Sequence, residues 1–195
     1  INHPRPKLLF VAGIHGDETA GTLLLLKLAD ELLNQHHTKP ILQTILDSVD
    51  LRLVPLLNPN GMYAGGDSTL YGATRYNANG VDINRNFPDR IYGAHADGNA
   101  YQPETKAIMH LDSSQQFNVS ITFHSGAEVI NYPWDHTATL HADDAWWQYI
   151  ARSYVDTVHT YSPANYFTFL NNGIINGYAW YQVFGGRQDY MNYVQ

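Results

Sequence analysis

Lys7 to Gln35 reads KLLFVAGIHGDETAGTLLLLKLADELLNQ, and a change of period inside it decides the fold. Lys7 to Ile14 is a continuous apolar run of strand length, His15 to Glu18 is polar, and about Thr19 to Gln35 is rich in Leu and Ala at helical spacing. Leu23, Leu26, Leu28, Ala29 and Leu32 are expected on the broad apolar face of that helix. Strand, polar loop and helix make the opening unit of a sheet buried on both faces.

Further along, Leu51 to Leu57 (LRLVPLL) repeats the strand signal and stops at the turn-forming Asn58-Pro59-Asn60-Gly61. Gly65 to Asn99 is dense in Gly, Asn, Asp and Tyr without a sustained period; a loop that long in a compact domain is usually functional, so binding residues are expected there. Pro103-Glu104 opens a helix to about Gln116, since Pro suits the first helical position and an early acid suits the dipole. A buried strand is expected at Val119 to Phe123. A helix begins at Asp143 and Asp144, with Trp147, Ile150, Ala151, Tyr154, Val155 and Val158 on its apolar face. The alternation predicts an α/β fold: a mixed, largely parallel twisted sheet with helices on both faces. At 195 residues the chain fits a single domain, because one core serves up to roughly 250 residues.

Composition removes several function classes. Eleven Lys and Arg against 18 Asp and Glu give a net charge of −7, which repels a phosphate backbone and argues against nucleic acid as a partner. Neither the apolar run that ends at Ile14 nor the Leu23 to Leu26 cluster approaches the ~20 residues needed to span a bilayer. Without cysteine there is neither a disulfide framework nor a thiolate metal site. The sequence starts at Ile1 with no leader pattern, so a processed or trimmed chain is expected, with any export signal upstream.

Two polar motifs stand at strand ends, where open α/β sheets place their ligands. His15-Gly16-Asp17-Glu18 follows the first strand and His124 follows Val119 to Phe123. Two imidazoles and one carboxylate form the protein ligand set of a catalytic zinc, leaving a fourth position open. The three-residue step from His15 to Glu18 lets both reach one ion if the chain turns there, with Gly16 keeping the turn uncrowded. Taken singly, H-x-x-E is a weak motif and His124 an ordinary strand-end histidine.

Further landmarks lie in order along nearly the whole chain: VAGIHGDE (Val11 to Glu18), LNPNG (Leu57 to Gly61), RYNANGVDINRNFP (Arg75 to Pro88), QPET (Gln102 to Thr105), FHSGAEVINYPWD (Phe123 to Asp135) and NGYAWYQVFGGRQDY (Asn176 to Tyr190). In these the sequence resembles the zinc carboxypeptidases of the carboxypeptidase A/B superfamily, particularly the regulatory branch with carboxypeptidases D, E and N. The resemblance implies a three-layer α/β/α fold and one Zn2+ held by His15, Glu18 and His124. It implies that Arg75 polarises the scissile carbonyl and stabilises its oxyanion. It makes Asn84 and Arg85 the clamp for the substrate's terminal carboxylate, and Tyr181 the mobile tyrosine that closes over substrate. In the regulatory branch, Asp135, eleven residues after His124, and Gln188, seven after Tyr181, correspond to the pocket for a basic side chain. The implied protein is a secreted, periplasmic or cell-surface monomer that removes C-terminal Lys or Arg from peptides and proteins.

The family's general base is a glutamate about twenty-two residues after the mobile tyrosine, which falls near position 203, past Gln195. Glu104 and Glu128 do not match it. The preceding hairpin of the family is also missing, so a chain cut short at both ends is expected, ahead of a natural pseudoenzyme. Other readings are a non-catalytic module binding peptide or glycan through its Tyr and Trp, and a peptidase trimming peptidoglycan stem peptides. Ser125 beside His124 lacks the G-x-S-x-G elbow of a serine hydrolase. His136, His141, Asp143 and Asp144 form a second, weaker metal candidate, two acids at a helix start being more often dipole partners.

Overall fold

The computed structural model describes residues 4–193. They form two compact units, residues 4–84 with 101–125 and residues 85–100 with 126–193.

The first unit is built on β1 (Lys7–Ala12), followed by α1 (Thr19–Gln35), α2 (Pro40–Ser48), β2 (Asp50–Val54), a short α3 (Pro59–Met62), α4 (Pro103–Gln115) and β3 (Val119–Phe123). Its sheet is parallel with order β2-β1-β3, in register at Leu8↔Leu51 and Leu8↔Val119. The central position of β1 explains its unbroken apolar run: Leu9, Val11 and Ala12 are fully buried. Beyond β2 the chain stays paired with β1, the amides of Leu57 and Asn58 donating to the carbonyls of Ala12 and Gly13 at 3.0 and 2.8 Å. That pairing brings Asn58 to the end of β1, where His15 begins.

The α1 face differs from expectation. Gly21, Leu25 and Leu32 are buried and Leu28 and Ala29 half-buried, whereas Leu23 and Leu26 are 69% and 52% exposed. Four consecutive leucines at about 100° per residue point in every direction, so only one of them can meet the sheet. The face runs through 21, 25, 28 and 32.

The second unit contains β4 (Ile130–Tyr132), α5 (Asp144–Tyr161), an irregular α6 (Phe169–Gly173), β5 (Ile174–Asn176), α7 (Gly177–Trp180) and α8 (Arg187–Tyr193). β4 and β5 pair in parallel, Ile130↔Ile174 to Tyr132↔Asn176. Their core joins Tyr132, Ala151, Val155 and Ile174, with Ile130, Trp147 and Phe167 packed against it. Of the expected α5 face, Ala151 and Val155 are buried and Trp147, Ile150 and Val158 half-buried, while Tyr154 is exposed at its edge. Phe87 is fully buried with its ring 5.2 Å from Tyr190. Burial of such side chains stabilises by about 1.5–3 kcal/mol each. No helix among the described residues is long and apolar enough to cross a membrane.

Candidate functional site

The ends of β1 and β3 deliver the polar residues expected of them. His15, Glu18 and His124 are the one group of three or more potential metal-binding side chains of this kind among the described residues, each offering a ligand atom within 4.8 Å of the others. Glu18 is the hub: its Oε1 lies 2.8 Å from His15 Nδ1 and its Oε2 2.7 Å from His124 Nδ1. The Ser125 amide donates to the same Oε2 at 3.2 Å, fixing the carboxylate from the β3 side.

This donor set fits a catalytic zinc. Two nitrogens and a carboxylate oxygen so close together suit bonds of about 2.0–2.2 Å to a common point. Burial is graded, from His15 (2% exposed) through half-buried Glu18 to exposed His124, so the centre opens to solvent on one side. A closed structural site needs no such opening.

Asp82, which spacing did not single out, organises this centre from behind. Its Oδ1 lies 3.2 Å from His15 Nε2, leaving Nδ1 to face Glu18, and its Oδ2 accepts from Arg75 Nε at 2.8 Å. Arg75 Nη1 is then 3.2 Å from His15 Nδ1 and 3.7 Å from Glu18 Oε1. A buried amide ties the loops together: Asn58 Oδ1 accepts from the Gly61 amide at 2.9 Å, and its Nδ2 donates to the carbonyls of Ile14 and Arg75, each at 3.4 Å.

The electrostatics follow. Burial alone favours neutral His15, but hydrogen bonds to Asp82 and Glu18 outweigh it and hold the pKa above 6.5. Burial likewise opposes the charge on Glu18, yet His124 and His15 hold its carboxyl well below the usual range. Asp82 is lowered to about 2, burial being overcome by His15 and Arg75.

Asn84 and Arg85 lie on a 3-10 turn, Ile83–Arg85. The Asn84 amide donates to Asp82 Oδ1 at 2.9 Å, and its side-chain nitrogen is 3.5 Å from His124 Nε2. Asn84 is thus linked to the group formed by His15, Glu18 and His124.

In the second unit Asp135 and Gln188 meet, Gln188 Nε2 donating to Asp135 Oδ1 at 2.8 Å. Asn131 Nδ2 donates to the same oxygen at 3.2 Å. Burial first, and then the charge of Asp189, push the Asp135 carboxyl well above its ordinary range, with Arg85 and Asn131 acting in the opposite direction. Tyr181 follows α7, 51% exposed, with its ring 4.9 Å from Trp180.

The weaker candidates find other roles. His136 pairs with Asp189, His141 Nδ1 accepts from the Asp143 amide at 2.9 Å, and Asp144 accepts from Gln148. Glu104 accepts from Asn77, and Glu128 from the Phe167 amide.

The chain matches the model of the family described as zinc carboxypeptidase over residues 2–195. It is 37% identical to Carboxypeptidase SOL1 of Arabidopsis thaliana over 195 residues, covering 97% of this chain and 37% of that protein. It is 36% identical to Carboxypeptidase M of Mus musculus over 202 residues, covering 97% of this chain and 45% of that one. The chain therefore spans less than half the length of these relatives. Among solved structures, thrombin activatable fibrinolysis inhibitor superposes with a TM-score of 0.83 at 17% identity, covering all of this chain and 52% of that one, a likeness of fold. A chain that matches the family model almost from end to end, and whose strand ends gather two imidazoles and a carboxylate, belongs to the zinc carboxypeptidase family.

Proposed function

We propose that the chain is the metal-binding part of a metallocarboxypeptidase that removes single residues from the C-termini of peptides or proteins, favouring Lys and Arg. The observation that carries this reading is the meeting of His15, Glu18 and His124 within 4.8 Å, with Arg75 beside them. These three residues would hold one Zn2+, which when bound supplies Lewis acidity toward a carbonyl and acidifies a water molecule.

By the resemblance, further residues take part in substrate binding and turnover. Arg75 stabilises negative charge developing on the carbonyl oxygen, and Asp82, by holding Nε, keeps the other end of the guanidinium turned inward. Asn84 and Arg85 grip the terminal carboxylate, a planar fork matching its two oxygens. An internal peptide bond offers no such carboxylate, so cleavage is confined to the last residue. Tyr181 closes over the bound residue. Asp135 and Gln188 receive its side chain: a buried carboxylate resists ionisation, and an entering guanidinium or ammonium relieves that cost where a neutral side chain does not. By the same resemblance the protein works as a monomer that is secreted, periplasmic or held at the cell surface.

The test pairs metal analysis with substrate discrimination. Protein dialysed against zinc should retain one equivalent, lost on His15→Ala, Glu18→Ala or His124→Ala. Loaded protein should prefer a blocked dipeptide ending in Arg over those ending in Leu or diaminopimelate, and Asp135→Ala should erase the preference. Substoichiometric zinc would refute the metal centre; an unchanged preference in Asp135→Ala would refute the pocket.

A further inference from the structure

Asp189 stands in the first turn of α8 with its carboxylate buried, 1% of the residue being exposed. It collects three donors from one short segment. The Asp135 amide donates to Oδ1 at 2.9 Å, the His136 amide to Oδ2 at 2.9 Å, and His136 Nδ1 lies 2.5 Å from the same Oδ2. The preceding residue of α8, Gln188, holds the side chain of Asp135. Two consecutive residues of one helix therefore fix both the backbone and the carboxylate of Asp135. Gly177 closes another side: a Cβ there would stand 1.6 Å from Asp135 Oδ1 and 3.2 Å from Gln188 Nε2.

We propose that Asp189, His136 and Gly177 are positioning residues for substrate selection, setting the depth and orientation of the Asp135 carboxylate so that it receives a basic side chain. The inference rests on the reading of Asp135 and Gln188 as the pocket for that side chain.

The two buried carboxylates are treated differently, and the difference gives the selectivity. Asp189 is held inside the unit by the His136 ring and by the amides of Asp135 and His136. Asp135 Oδ1 receives two neutral amides, from Gln188 and Asn131, which orient the group without supplying a charge. Arg85 acts on Asp135 through its charge, and an entering Lys or Arg side chain would add a direct charge-assisted hydrogen bond. Placement matters as much as charge, since an error of about 1 Å in a positioned group can cost on the order of 100-fold. The absence of a side chain at Gly177 lets the carboxylate sit at that depth.

The test measures binding by calorimetry of blocked dipeptides ending in Arg and in Leu to the zinc-loaded chain, with thermal unfolding in parallel. Gly177→Ala introduces a residue suited to a helix start, at a backbone conformation open to any L residue, and forces the carboxylate to move. Asp189→Asn removes the charge that pairs with His136. Both should weaken the Arg-ending peptide by about ten-fold or more while leaving the Leu-ending peptide within about two-fold. Gly177→Ala should also retain full zinc and unfold cooperatively, at a midpoint lowered only by the displacement of one side chain. If Asp189→Asn fails to fold, Gly177→Ala decides. Equal loss for both peptides, or a wild-type ratio in Gly177→Ala, overturns the inference while the pocket stands, provided that Asp135→Ala abolishes the ratio. A ratio that survives in Asp135→Ala removes the pocket itself and the inference with it.

Discussion

His15 turns its Nε2 to Asp82 Oδ1 at 3.2 Å and thereby keeps Nδ1 facing Glu18. A carboxylate behind a metal-binding imidazole fixes the tautomer and orientation of the ring, and its removal typically lowers metal affinity by about 10- to 100-fold. Asp82→Ala should therefore weaken zinc binding by that factor in a competition titration against a chelator. Because Asp82 also holds Arg75 Nε, the variant should in addition lose turnover when fully loaded with zinc. Undiminished zinc affinity in Asp82→Ala would dismiss the role of this carboxylate.

The same contacts set opposite pH dependences for the metal-free and loaded protein. His15 has a folded pKa above 6.5, so its contribution to stability is complete below 6.5 and is lost as pH rises through the folded value. Asp82, lowered to about 2, contributes above 3.8 and loses that contribution as pH falls toward about 2. With chelator present, the unfolding midpoint should decline as pH rises past 6.5. Metal binding needs the neutral imidazole, so the rise in midpoint produced by zinc should grow over the same range. A zinc effect that shrinks with rising pH would contradict this assignment of His15.

Gly16 carries the turn between His15 and Glu18 of the H-x-x-E motif. A Cβ there would stand 2.1 Å from the Gly61 carbonyl carbon and 2.2 Å from the Met62 nitrogen. These are backbone atoms held by the Asn58 side chain, so rotamer changes cannot relieve the overlap. Gly16→Ala should cost about 1–3 kcal/mol of stability, as overpacked sites do. It should also lower zinc affinity, because His15 and Glu18 flank the displaced residue. A variant with normal stability and normal zinc binding would show that the turn has slack.

How far the sequence discloses the protein depends on the range of each signal. β1, α4 and α5 are legible because each has either an unbroken apolar run or a long helical period opened by Pro or Asp; β3 is legible by its alternation Val119-Ser120-Ile121-Thr122-Phe123, and it is half-buried along its length, not buried as expected. β4 and β5 are three residues each, too short for any period, and are set by their pairing with one another. The candidate ligands His15, Glu18 and His124 stand at or just after strand ends and can be proposed from residue type and place. Asp82 and Asp189 could not, because each acts through space on a residue distant in sequence, and no spacing marks a carboxylate that will face an imidazole. Both lie within stretches that carry the family resemblance, and that was the available signal. Domain organisation had no comparable local marker.

The leucine run on α1 gives a final contrast. Leu25 is 1% exposed and Leu23 is 69% exposed, although they are two residues apart in the same helix and chemically identical. Packing against the sheet distinguishes them, since only the face through Gly21, Leu25 and Leu32 meets it. Leu25→Ala should remove buried contacts and leave a cavity beside β1, at about 2–5 kcal/mol. Leu23→Ala changes a side chain already in water and should stay within about 0.5 kcal/mol. Urea denaturation of both variants checks the pair. Comparable losses at the two positions would mean that the outer leucines are covered in solution, and the helix face would have to be reassigned.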